Sequence, residues 1–154
     1  MKAKTISVSL AVFFAGFALC LAADANMGTW KLNESKSKLA PGAAKNHTVV
    51  YAADGDNVKI TVDGVSSDGK PIHHEWTGKY DGKDYPVTGD PTSDARSYKK
   101  IDDHTLDFAV KKDGKTTVTG RVVVSADGKS RTVTTTATDS SGKKVTSTGF
   151  YDKQ

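Results

Sequence analysis

The chain has 154 residues, with 22 Lys and Arg against 18 Asp and Glu, a formal net charge of +4 and one cysteine. That length suits a single domain, and one cysteine excludes an internal disulfide framework. Acids and bases alternate with no basic block, which leaves nucleic-acid binding without support.

The chain opens MKAK and then runs apolar from about Ile6 to Leu21 before small residues appear. A basic start, a short apolar run and small residues are the order of a secretory signal peptide, and the run is short for a spanning helix. Ala23 and Ala25 put small residues at −3 and −1, so residues 1–25 are expected to be removed, with cleavage after Ala25. Cleavage after Ala22 or Ala23 is the alternative. Cys20 ends the apolar run, but Leu19 precedes it, where lipoprotein processing takes Gly, Ala or Ser. The expected product, residues 26–154, is one secreted or periplasmic domain with no stable membrane association. It keeps no cysteine, so an ordinary core must hold it together.

Beyond the signal, helical periodicity is nearly absent, while Thr, Val and Gly are frequent. Alternating segments are punctuated by Asp54-Gly55, Asp63-Gly64, Asp68-Gly69, Asp81-Gly82, Asp113-Gly114, Asp127-Gly128 and Ser141-Gly142. Such pairs suit tight hairpins, because glycine accepts a positive φ. In chain order the predicted strands are 28–32, 47–53, 58–65, 71–80, 96–101, 105–112, 116–124, 131–138 and 144–152. The segment 33–46 has room for one helical turn, and "YPVTGDPTSD" (85–94), with Pro86 and Pro91, is the least regular connection. Consecutive hairpins make an antiparallel up-and-down meander, and closure removes the two edges an open sheet would expose. The expected fold is therefore all-β: a closed barrel of about eight to ten strands in a single domain. A two-sheet sandwich is the alternative, but its crossovers need longer connections.

The first strand, "GTWKL" (28–32), resembles the Gly-x-Trp signature of lipocalins and fatty-acid-binding proteins, together the calycins. The chain end "TSTGFYDK" (146–153) is similar to the last strand of fatty-acid-binding proteins. The run "KYDGKDYPVTGDP" (79–91) resembles small secreted bacterial lipocalin-like proteins with no established activity. The resemblance implies a barrel whose Trp30 closes one end in a structural role. It does not carry over the fatty-acid chemistry. Gly149 stands where those proteins place the arginine that holds the ligand carboxylate, and residues 33–46 are too few for their two-helix lid.

The stretch "PIHHEW" (71–76) sets two histidines side by side. Side chains alternate along a strand, so His73 and His74 point to opposite faces and cannot share one ion. Ile72, His74, Trp76 and Tyr80 share the parity that reads as interior, whereas His73, Glu75, Thr77 and Lys79 read as solvent-facing. For His74 a hydrogen-bonded core role comes first, contact with a ligand second and metal binding last. His47 and His104 show no spacing that would bring them to the same point, so no metal site is expected. No nucleophile elbow, phosphate loop or cysteine nucleophile is present, and most carboxylates sit in turns; no enzyme activity and no cofactor are expected.

Parity elsewhere turns inward Val58, Ile60 and Val62, then Leu106, Phe108 and Val110, then Val118, Gly120, Val122 and Val124. Thr135 and Ser147 share parity with Val133 and Val145, and inward hydroxyls suit an amphipathic ligand. The candidate lining is thus Ile60, His74, Trp76, Tyr80, Phe108 and Val122. The expected function is non-enzymatic binding of a small apolar or amphipathic molecule by a monomer. The alternative is a solid barrel that binds or inhibits a protein through its loops, with Tyr85 in 85–94 as the best contact.

Overall fold

A computed structural model describes residues 24–139 and 141–154; the expected signal peptide, with Cys20, lies outside them apart from Asp24 and Ala25. Ten antiparallel strands follow one another: β1 (Gly28–Leu32), β2 (Lys45–Asp54), β3 (Asn57–Val65), β4 (Pro71–Gly78) and β5 (Tyr85–Thr88), then β6 (Ala95–Lys100), β7 (Thr105–Lys112), β8 (Lys115–Val124), β9 (Ser130–Thr138) and β10 (Lys144–Lys153). Each pairs with the next, and β1 also pairs with β10, with Leu32 opposite Tyr151, to close the barrel. Segment 33–44 holds one 3-10 turn, Glu34–Lys36, with the Asn33 side chain accepting from the Lys36 N–H.

The turns work as the Asp-Gly pattern predicts except at Asp63-Gly64, which lies inside β3 opposite His73 and Ile72 without a positive φ. At the β7–β8 hairpin Asp113 and Gly114 both take positive φ, 50° and 72°. Two such residues in succession make the turn whose twist matches that of the flanking strands.

The fold departs from the predicted elements in 71–94. The fourth strand ends at Gly78 rather than Tyr80, and the irregular connection contains a tenth strand, β5. Pro86 argues against a strand because it has no N–H to give. It is tolerated because β5 is very short and makes only the pairs Glu75–Thr88 and Trp76–Val87 with β4, and Tyr85–Arg96 and Pro86–Ala95 with β6. At Gly78 a Cβ would stand 2.5 Å from the Tyr85 ring, so its absence lets that ring close over Trp76.

The two ends of the barrel differ. At one end the segment before β1 is tucked in. Asn26 is 1% exposed, Trp30 is fully buried, and the Trp30 indole N–H donates to the Asn26 carbonyl at 2.8 Å. Ala25 and Met27 pack against the same core. The opposite end is framed by segment 33–44 and the turns after β3, β5, β7 and β9. The core, with Trp30, Tyr51, Ile60, Trp76, Leu106 and Val122 at its centre, lies toward the plugged end.

Candidate functional site

The interior is not filled by its own side chains. A cavity of about 550 Å³ runs from the middle of the barrel to the open end. Its walls include Val49, Val62, Phe108, Val118, Val122 and Val133, with Thr135 and Ser147 supplying hydroxyls. Leu39 to Asn46 and Asp90 to Thr92 edge the mouth. Ten strands make a wider barrel than eight, and eight leave just enough interior for side chains or one small ligand. The volume falls in the ordinary range for small-molecule pockets.

Of the candidate lining residues, His74, Phe108 and Val122 border the cavity, while Ile60, Trp76 and Tyr80 do not. The last three stand nearer the plugged end. Trp76 packs edge-on against Tyr98, with ring centroids 4.7 Å apart, and against Tyr85 at 5.8 Å; its indole N–H donates to the Arg96 carbonyl at 2.8 Å. Tyr80 leans on Tyr98, and burial, followed by the neighbouring Tyr51, drives its phenol pKa far up. Trp76 is paired with Ile60, and His74 with Val62, one inward position closer to the mouth. Alternation tells which face a residue takes but not its depth along the barrel axis.

"PIHHEW" resolves as two faces of β4. His73 is exposed, its Nδ1 2.7 Å from Asp63, and His74 is 5% exposed on the inner face. Among the described residues no three His, Cys, Asp or Glu side chains converge as a metal site would require.

Around His74 stands a polar group that spans three elements. Arg96 on β6 reaches His74 Nε2 at 3.4 Å with one terminal nitrogen and the Asp90 carboxylate at 3.7 Å with the other. Arginine only donates, so Nε2 accepts and the neutral imidazole carries its proton on Nδ1. Burial, then the Arg96 charge, lowers the His74 pKa to about 4, against the opposing pull of Asp90. Burial pushes the Asp90 carboxyl up. Hydrogen bonds from Ser93 (2.6 Å) and Thr92 (2.7 and 2.8 Å) outweigh that and hold it below the usual range. Gly89 (φ 81°) places the loop: a Cβ there would stand 2.5 Å from the His73 carbonyl oxygen, so only glycine lets Asp90 come down beside Arg96.

A second arginine lies deeper. Arg131 on β9, 2% exposed, holds its guanidinium 4.7 Å from the ring centres of Trp30 and Tyr51 and 5.1 Å from that of Tyr151. It also borders the cavity. Burial, then Tyr98, drives the Tyr51 phenol up, with Arg131 pulling the other way. Neither arginine figured among the sequence candidates, yet the signal existed: Arg131 shares parity with Val133 and Thr135, and Arg96 shares it with Tyr98.

A closed antiparallel meander, a tryptophan buried at one end and a cavity opening at the other make a lipocalin-like barrel, plugged at one end and open at the other. No protein family and no curated protein matches the chain. Among solved structures it is similar to EF1p2_mFAP2b bound to DFHBI, at 12% identity over 86% of this chain and 97% of that one, with a TM-score of 0.49. It is also similar to a redesigned β-barrel, mFAP1, bound to DFHBI, at 18% identity over 86% and 98%, with a TM-score of 0.44. Lobster apocrustacyanin A1 aligns at 13% identity over 86% of this chain and 63% of that one, with a TM-score of 0.45.

Proposed function

We propose that this protein is an exported, non-enzymatic barrel that holds one small apolar or amphipathic molecule in its interior. The cavity of about 550 Å³, apolar along most of its wall and reached from one end, carries this reading. The loop-binding alternative loses its best contact. Residues 85–88 are taken up in the wall as β5, Tyr85 is turned onto Trp76, and Ser93 is 3% exposed within the Asp90 hydrogen bonds.

The test is fluorescence titration with neutral N-phenyl-1-naphthylamine. Saturable binding at one site per chain is expected, weakened about tenfold or more by Thr135→Trp, which adds an indole to the cavity wall. Absence of binding to the folded protein would overturn the reading.

Export rests on the amino-terminal sequence, and the plugged end bears on where processing occurs. Cleavage after Ala25 would leave a new ammonium group on Asn26, which is 1% exposed, and would remove the Asp24 carboxylate that accepts from the Asn26 N–H at 2.9 Å. Burying an unpaired charge is costly. Processing on the amino-terminal side of Asp24 keeps that hydrogen bond and puts no charge on Asn26. Intact mass of the exported protein should therefore place the first residue at Ala23 or Asp24, and a chain beginning at Asn26 would refute this.

A further inference from the structure

The charges around the cavity do not balance. Two buried guanidiniums, Arg96 and Arg131, border it; one half-buried carboxylate, Asp90, lies 3.7 Å from Arg96, and the other carboxylate on the lining, Asp139, is exposed at the mouth. His74, held neutral, adds no charge. Among the described residues no carboxylate lies within ion-pair distance of Arg131, and its Nε and Nη1 have no hydrogen-bond acceptor; Arg96 Nε likewise has none. Arginine side chains do not give up their proton in proteins. Three aromatic faces around Arg131, and the Tyr51 hydroxyl, supply part of the compensation, but they leave its Nε and Nη1 donors unanswered. An uncompensated buried charge is among the costliest features a fold can carry.

We infer that the cavity's ligand bears an anionic oxygen group, a carboxylate being the simplest, which docks at the Arg131 and Arg96 side of the cavity. Its apolar body lies toward the mouth along Phe108, Val122 and Val133. A planar guanidinium matches a carboxylate with two parallel N–H donors, and such charge-assisted bonds are about twice as strong as neutral ones. The position at which fatty-acid-binding proteins carry their carboxylate-holding arginine is Gly149 here; the deeper cation arrives instead from β9, opposite Tyr151. This inference rests on the proposed binding function, and the experiment separates the two.

The probes are 2-naphthoate, 2-naphthalenemethanol and 2-naphthylmethylamine, similar aromatic bodies with a negative, neutral or positive end, titrated by calorimetry and by displacement of N-phenyl-1-naphthylamine. The acid is expected to bind about tenfold or more tighter than the alcohol, with the amine weakest. Arg131→Met should abolish that preference while leaving the alcohol's affinity within about twofold. Because Arg131 packs on Trp30, a poorly folded R131M is covered by Arg131→Lys, which keeps the charge but loses the fork and should reduce the preference without removing it. Equal binding of acid and alcohol would overturn the anion inference and leave the binding function standing, with Arg131 then serving only as packing among the three rings. Failure of all three probes and of the neutral dye would overturn both.

Discussion

Trp30→Ala is expected to be the most damaging single truncation in the barrel, costing about 3–5 kcal/mol, the range for removing a buried aromatic ring. For a domain of this size that corresponds to a loss of roughly 10 °C or more in Tm. Trp30 is fully buried, and its loss has two further consequences at the plugged end. The Asn26 carbonyl is left without its indole donor, and the guanidinium of Arg131 loses one of the three ring faces around it. The cation of Lys153, 5.0 Å from the same ring, loses its aromatic neighbour as well. Trp30→Phe separates these effects, because it keeps an aromatic face for Arg131 and removes only the N–H and part of the ring. It should cost about 1–3 kcal/mol, mostly from the unanswered Asn26 carbonyl and the smaller ring. Trp30 does not border the cavity, so Trp30→Phe should still bind N-phenyl-1-naphthylamine with near-normal affinity. Urea unfolding of both variants checks the order. An unchanged midpoint for Trp30→Ala would mean the plugged end contributes nothing to stability.

The fold was legible because its two signals are local. Asp-Gly pairs mark hairpins wherever glycine must take positive φ, and period-two alternation assigns faces without reference to the rest of the chain. The inward sets Ile60–Val62, Leu106–Val110 and Val122–Val124 follow directly from that alternation. The tenth strand escaped because β5 is too short for a period to show and contains Pro86, whose fault is harmless at the few pairs it makes. The cavity was less legible, since depth along the axis depends on the register of every strand around the closed barrel. Trp76 and His74 differ by two residues and share a face, yet one belongs to the packed end and the other to the cavity wall. The buried arginines were hidden for another reason: charge is ordinarily read as exposure, and only the paired strands place Arg131 opposite Tyr151 and Val124 inside the barrel.

Lowering the pH from 7 to 5 is expected to destabilise the protein by about 2 kcal/mol through His74 alone. The fold favours the neutral imidazole. Burial and the Arg96 charge lower its pKa to about 4, with a smaller push from His73 and opposition from Asp90 and Asp63. The sign follows from proton counting. The unfolded chain, with a histidine near 6.5, takes up a proton first as pH falls, while the folded chain does not. Stability from this group is therefore complete above about pH 6.5, declines by about 1.4 kcal/mol per pH unit below it, and stops declining near pH 4. Asp90 acts in the same direction but only at lower pH, since its carboxyl is held below the usual range and stays ionised through this window. His74→Gln supplies the control, because an amide cannot titrate. Urea denaturation of both proteins at pH 7, 6 and 5 should show the wild-type advantage over the variant shrinking by about 2 kcal/mol. Parallel curves would place the histidine in water and dissolve the Arg96–His74–Asp90 arrangement at the cavity wall. The expected convergence would mean that this wall keeps a neutral imidazole beside a charged guanidinium from pH 7 down to pH 5.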